Sequence, residues 1–183
     1  MNNQQTADQQ QAAAPAQLGN YRHQEADKWV PFEADKADQK NQVTTLLQST
    51  VVELLELYHS TKQSHWNLRG PLYFSLHENL DEYATIQLEF TDRIAERALH
   101  IGSPIDGRTA IVAQTANLGD FPAGYLADRQ VLALMTERIY TVGVRTRQRI
   151  EQLSQVDETT SNLLQELSYA LDKQVWQLRV HMQ

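Results

Sequence analysis

The sequence predicts an all-α fold: a four-helix bundle whose second and third long helices are joined by a long crossover with a short extra helix. Three observations predict it. Apolar residues recur at three- and four-residue spacing in four separate stretches. Apart from Gly143, glycine and proline fall outside those stretches rather than within them. No stretch alternates apolar and polar residues as a half-buried strand would, and no internal repeat appears. With 183 residues, 41% of them hydrophobic, the chain suits one domain plus some excess length.

Residues 1–38 are polar and aperiodic, broken by Pro15, Gly19 and Pro31, and read as a flexible N-terminal arm preceding a bundle domain over 39–183. From about Asn41 to Arg69, Leu46, Leu47, Thr50, Val51, Leu54, Leu55 and Tyr58 mark a first amphipathic helix, stopped by Gly70 and Pro71. A second runs from about Tyr73 to Ile101 and stops at Gly102 and Pro104; a later start would give a capping box from Ser75 and Glu78. Gly107, Gly119, Pro122 and Gly124 punctuate the connection that follows, with Thr109 to Thr115 as its short helix. A third long helix fits Tyr125 to Leu153, lined by Leu132, Met135, Ile139 and Val142. A fourth fits Asp157 to His181, lined by Leu164, Leu167, Leu171, Val175 and Leu178. Four such helices with one long crossover give the ferritin-like arrangement.

Composition narrows the chemistry. The chain has no cysteine, so disulfides and thiolate metal sites are excluded, and imidazole and carboxylate remain as ligands suited to iron, manganese or zinc. No apolar run approaches the roughly 18 residues of a membrane span, and Met1 to Gln17 lacks the apolar segment of a secretory signal. A cytoplasmic location is the expectation. A net charge of -7 argues against a surface that grips DNA everywhere.

Five potential ligands, His65, His77, Asp81, Asp92 and Glu96, fall in one short window. His77 and Asp81 are four apart, as are Asp92 and Glu96, so each pair projects from one helical face. At about 100° per residue the four positions lie at roughly 0°, 40°, 60° and 100°, a single stripe. At about 1.5 Å per residue, however, the two pairs stand roughly 22 Å apart along the axis. One ion cannot bridge them within a chain. Two copies crossing antiparallel about a two-fold axis would bring the histidine end of each to the carboxylate end of the other and form two equivalent sites.

The run Lys62-Gln63-Ser64-His65-Trp66-Asn67, then Gly70, His77-Glu78, Asp81 and Asp92-Arg93-Ile94-Ala95-Glu96-Arg97, resembles the signature of Dps, the DNA-protecting protein family of starved cells. The resemblance extends over about Asn41 to His181. It implies a dodecameric ferroxidase shell, dissolved iron and hydrogen peroxide or dioxygen as substrates, ferric mineral storage, protection against oxidative stress and no organic cofactor. It assigns His65, His77 and Asp81 to one subunit's share of the iron site and Asp92 and Glu96 to the partner's. Trp66 matches a redox aromatic beside the iron, and Glu78 and Glu82 match glutamates linked to mineral nucleation. In place of the family's pore aspartates this chain offers Asp120 and Asp128 in an altered pattern, for which ordinary loop and cap chemistry is the expectation.

Ferrous iron accepts imidazole and carboxylate together, and carboxylates stabilise the ferric charge that appears on oxidation. Because histidine ligates only when neutral and its reference pKa is about 6.5, metal binding should weaken in moderate acid. Two other functions compete. A nucleoid-coating shell would need a cationic arm, yet residues 1–40 carry Arg22, Lys28, Lys36 and Lys40 against Asp8, Glu25, Asp27, Glu33, Asp35 and Asp38, a net of about -2. A zinc hydrolase would need three firm ligands and a general base. Glu56 and His59 form one Glu-x-x-His element of the intra-subunit di-iron bundles, but no second copy exists, so His59 reads as incidental.

Overall fold

The computed structural model describes residues 30–32 and 34–182. Its long helices are α1 (Ala37–Asn67), α2 (Tyr73–His100), α4 (Asp128–Leu153) and α5 (Glu158–Arg179), with the short α3 (Thr109–Thr115) in the crossover. Two-residue strands β1 (Leu68–Arg69) and β2 (Leu126–Ala127) form one parallel bridge. The chain is thus an all-α bundle of the ferritin-like type: α1 and α2 pack as one hairpin, α4 and α5 as the other, and the crossover between them lies against α1.

Except for Tyr58, which lines a surface groove beside His59, the predicted stripes fill one core. Leu47, Leu54, Leu80, Ile94, Met135 and Leu164 are fully buried in it, and Tyr83 closes its centre with a hydroxyl that donates to Gln177 at 3.0 Å. A second small cluster, Val52, Val112 and Ala116, fastens α3 to α1. Burying apolar area of this kind is the main favourable contribution to such a fold.

The ends of the elements differ from the sequence reading in instructive ways. The expected arm over 1–38 lies mostly outside the described residues, but Ala34–Lys36 form a 3-10 turn and α1 starts at Ala37. Its first residues are exposed, so no apolar stripe announced them. The proposed Ser75/Glu78 capping box is not formed. α2 begins at Tyr73, and the Ser75 hydroxyl donates to the Leu72 carbonyl at 3.2 Å. The Leu72 N–H instead donates to the buried Asp128 carboxylate at 3.1 Å. α4 starts at Asp128 rather than Tyr125 because Leu126 and Ala127 are extended, paired with Leu68 and Arg69. That bridge went unread because two residues carry no periodicity. α5 starts one residue late, since Asp157 is its N-cap, and a 3-10 turn over Val180–Met182 replaces its last turn.

Two charged clusters fix the crossover. Buried Glu53 on α1 accepts from Arg149 at 2.6 and 2.8 Å and from Arg145 at 3.0 Å. Arg145 also donates to the carbonyls of Ala116 and Asn117, and Arg138 to those of Gly119 and Asp120. Arginine is suited to this bridging by its fixed fork of donors.

Candidate metal centre

The turn between α1 and α2 builds the histidine end. Gly70 has φ +140°, where side chains are rarely accommodated, and a β-carbon there would collide with the Asp128 carboxylate. This tight reversal lays His77, in the second turn of α2, against His65, in the last turn of α1. The two rings stack with centroids 3.7 Å apart and planes 17° apart. Tyr73 stacks on His77 in turn, at 4.9 Å and 24°.

Each ring is held by the other residue's backbone. His65 Nδ1 lies 3.0 Å from the His77 carbonyl oxygen, and His77 Nδ1 lies 3.1 Å from that of His65. A carbonyl can only accept, so both Nδ1 atoms carry the hydrogen. In the neutral rings both Nε2 lone pairs are therefore open to a metal. This is the tautomer and orientation control that metal-binding histidines need.

Asp81 follows one turn after His77. Its Oδ1 accepts from Lys62 Nζ at 2.6 Å. The Lys62 ammonium, by this hydrogen bond and its charge, holds the Asp81 carboxyl below its ordinary value; burial opposes this slightly, and His65 and His77 add to the lowering. Trp66 is 67% exposed, so its own chain does not bury the indole, and the Lys62 ammonium lies 5.7 Å from its ring.

Asp92 and Glu96 occupy the other end of the same helix and are exposed, as are Glu78 and Glu82. Their neighbours Arg93 and Arg97 point elsewhere: Arg93 pairs with Glu166 at 2.5 Å and Arg97 with Asp157 at 2.8 Å. The structure brings His65, His77 and Asp81 to one end of α2 and leaves Asp92 and Glu96 at the other. Among the described residues no three ligand side chains converge on one metal position.

The remaining acidic candidates take other roles. Asp128, 8% exposed, receives the N–H groups of Leu72 and Arg129. Asp120 is exposed and is held through its backbone carbonyl by Arg138. Glu56 faces Arg138 Nη1 at 3.9 Å, while His59 lies exposed beside Tyr58. Inside the bundle Thr61 donates to Gln87, with Gln174 adjoining, and the buried carboxylates of Glu53, Asp128 and Asp157 already accept hydrogen bonds from other groups. Sequence reasoning missed Lys62 and Tyr73 as parts of the site. The available signal was their spacing, three before His65 and four before His77.

An exposed apolar series runs along the same face of α2. Phe74, Leu88 and Leu99 are 79%, 40% and 60% exposed. On the helical wheel they fall at roughly 60°, 20° and 40° from His77, inside the ligand stripe.

This fold, with a histidine-carboxylate face on its second helix, defines a ferritin-like protein, and residues 44–183 match the ferritin-like domain family. Within that class the chain belongs to the Dps family. It is 41% identical over 137 residues to DNA protection during starvation protein 2 of Deinococcus radiodurans, covering 75% of this chain and 57% of that protein. It is 32% identical to the DNA protection during starvation protein of Agrobacterium fabrum, covering 79% of this chain and 90% of that one. The solved structure of Dps from Microbacterium arborescens in the high iron form superposes with a TM-score of 0.75 at 28% identity, covering 79% and 94%. No helix among the described residues is long and apolar enough to cross a membrane.

Proposed function

We propose that this protein is a ferroxidase and iron-storage subunit that oxidises ferrous iron at sites shared between two copies. One observation carries the reading. The two half-sites of α2 share their exposed face with Phe74, Leu88 and Leu99, and isolated soluble helices rarely leave such a stripe open. An antiparallel register that sets His77 opposite Glu96 and Asp81 opposite Asp92 also sets Phe74 opposite Leu99. Each step of three or four toward one end is matched by the same step toward the other end of the second copy. Metal ligands and apolar residues thus complement the same partner, a two-fold copy of this chain.

In such a site the two imidazole Nε2 atoms and Asp81 offer a fixed half, and Asp92 and Glu96 of a second copy complete it. Ferrous iron and hydrogen peroxide are the substrates. Two ferrous ions together supply the two electrons that reduce one peroxide to two hydroxide ions, so no hydroxyl radical leaves. The carboxylates favour the ferric product electrostatically, and positions not filled by protein ligands let it depart into a cavity. Trp66 stands where it could surrender an electron to a stray oxidant, and Glu78 and Glu82 extend the acidic surface on which mineral would begin. The closed dodecamer belongs to this reading through the family resemblance, and the cytoplasmic location and the arm over 1–38 with a bundle domain over 39–183 through the composition and patterning of the sequence. DNA protection is then achieved by removing iron and peroxide, because the arm's net of about -2 offers few counterions for release on DNA.

The test is complementation. His65→Ala/His77→Ala protein is unfolded, mixed with Asp92→Ala/Glu96→Ala protein and reassembled. Every mixed dimer regains one intact site of two, so random mixing restores about a quarter of the native ferrous oxidation rate, whereas each parent stays inactive. Complete absence of recovery in properly assembled mixtures would mean that each site is built within one chain.

A further inference from the structure

Resting on the site just proposed, we infer that Lys62 is a positioning residue that holds Asp81 in the metal-free site and loosens its grip on ferric iron. The Lys62 side chain is 18% exposed and Asp81 59% exposed, so the ammonium comes from the protein side of the carboxylate and leaves its outer side to solvent. Lys62 also lines an open groove of about 280 Å³ with Tyr58, His59, Gln63, Trp66 and Phe121. The lysine stem is therefore packed along the surface of α1, and the charge is delivered to a fixed point.

Three consequences follow from electrostatics. First, the ammonium neutralises the one carboxylate among the proposed ligands of the histidine end, so a metal reaching Asp81 must displace it or share the carboxylate with it. Second, the displaced ammonium has a place to go, because the Trp66 ring lies 5.7 Å from Nζ in the present arrangement. It stays close enough to repel the bound ion. Third, that repulsion scales with the ion's charge, so a trivalent product is disfavoured half as much again as the divalent substrate. A site whose task is to pass iron onward benefits from such a bias, since carboxylates alone would hold the ferric ion most tightly. The histidine rings do not provide it, because each presents a neutral nitrogen.

The test uses full-length assembled protein and two metal ions as reporters, Co(II) and Tb(III), titrated against native protein, Lys62→Met, Lys62→Arg and His65→Ala. An exposed ion pair of this kind supports an affinity gain of up to about fivefold for Co(II) in Lys62→Met. The same repulsion raised to the three-halves power gives about elevenfold for Tb(III). Lys62→Arg keeps the charge and stays near native values for both ions. In ferrous oxidation, the later turnovers of Lys62→Met slow relative to its own first turnover more than those of native protein do, as product leaves more slowly. If Lys62→Met assembles poorly, Lys62→Gln serves the same comparison. Equal gains for both ions, or none, with His65→Ala losing Co(II), would overturn the role of Lys62 alone. Undiminished Co(II) binding by His65→Ala would instead remove the underlying site, and the inference with it.

Discussion

The two ends of α2 carry the same kind of chemistry under opposite mechanical regimes. At the histidine end every group is restrained: both rings are bonded to backbone carbonyls and stacked, Tyr73 covers His77, and Asp81 is tethered by Lys62. At the carboxylate end Asp92 and Glu96 stand exposed, and the arginines that follow each of them are drawn away to Glu166 and Asp157 on and before α5. Had Arg93 and Arg97 stayed beside Asp92 and Glu96, they would have neutralised them. The difference teaches a division of labour. In the proposed shared site the rigid end would decide where an ion sits, and the loose end would supply negative charge that adjusts as the ion changes from two to three positive charges.

The strongest way to break this comparison is to damage the two ends separately. His77→Ala removes a ligand, the ring that covers His65 and the hydrogen bond to the His65 carbonyl, so the first-turnover rate of ferrous oxidation should fall about a hundredfold or more. Glu96→Gln removes one charge from a side chain that nothing else depends on, and a loss of about tenfold is expected. Stopped-flow measurement of ferrous loss with peroxide separates the two. Similar losses at both ends would show that the restraint at the histidine end has no functional weight.

How much of this was legible in the sequence differs by element. The long helices were readable because Leu47, Leu54, Met135 and Leu164 repeat with the helical period, and the short α3 was bracketed by glycines. The ligand stripe was readable because angular position follows from numbering alone. What could not be read were features built by chain reversal. The His65–His77 stack depends on the turn at Gly70, and that turn depends on Asp128, 58 positions further along. Asp128 looked like pore or cap chemistry and proved to be a cap reaching across the bundle to Leu72. Lys62 lay in plain sight within the motif, but only folding shows that its ammonium meets Asp81 rather than solvent.

A smaller effect sharpens the comparison at the level of assembly. Phe74 stands beside the rigid end and Leu99 beside the loose one, and the proposed antiparallel register would make them neighbours across two copies. Phe74→Ala should weaken association of the copies by about 2 kcal/mol per contact, the order expected for covering one large apolar side chain. Sedimentation across a concentration series reads this directly. The exchange Phe74→Leu with Leu99→Phe conserves the pair and should recover most of the loss. If the double exchange associates no better than Phe74→Ala, Phe74 and Leu99 do not face each other.

The smallest expected effect concerns what keeps the loose end loose. Asp157 caps α5 by accepting from the Thr160 N–H at 3.3 Å and grips Arg97 at 2.8 and 3.0 Å. Burial pushes the Asp157 carboxyl upward, but the Thr160 and Arg97 hydrogen bonds together outweigh it and leave the group below its ordinary 3.8. A carboxyl lowered in the folded state stabilises the fold above its unfolded value, and that contribution disappears as pH falls through the folded one. Asp157→Ala should therefore cost about 1 kcal/mol at neutral pH, typical of a lost helix cap. Denaturant unfolding should show the gap from native protein constant down to about pH 5 and closing below the ordinary carboxylate value. A gap that widens in acid would contradict the assignment. The same substitution releases Arg97, which adjoins Glu96 in sequence and can then turn toward it. A severalfold weaker Co(II) affinity in Asp157→Ala, with His65 and His77 untouched, would show that Glu96 is kept available by an arginine held elsewhere.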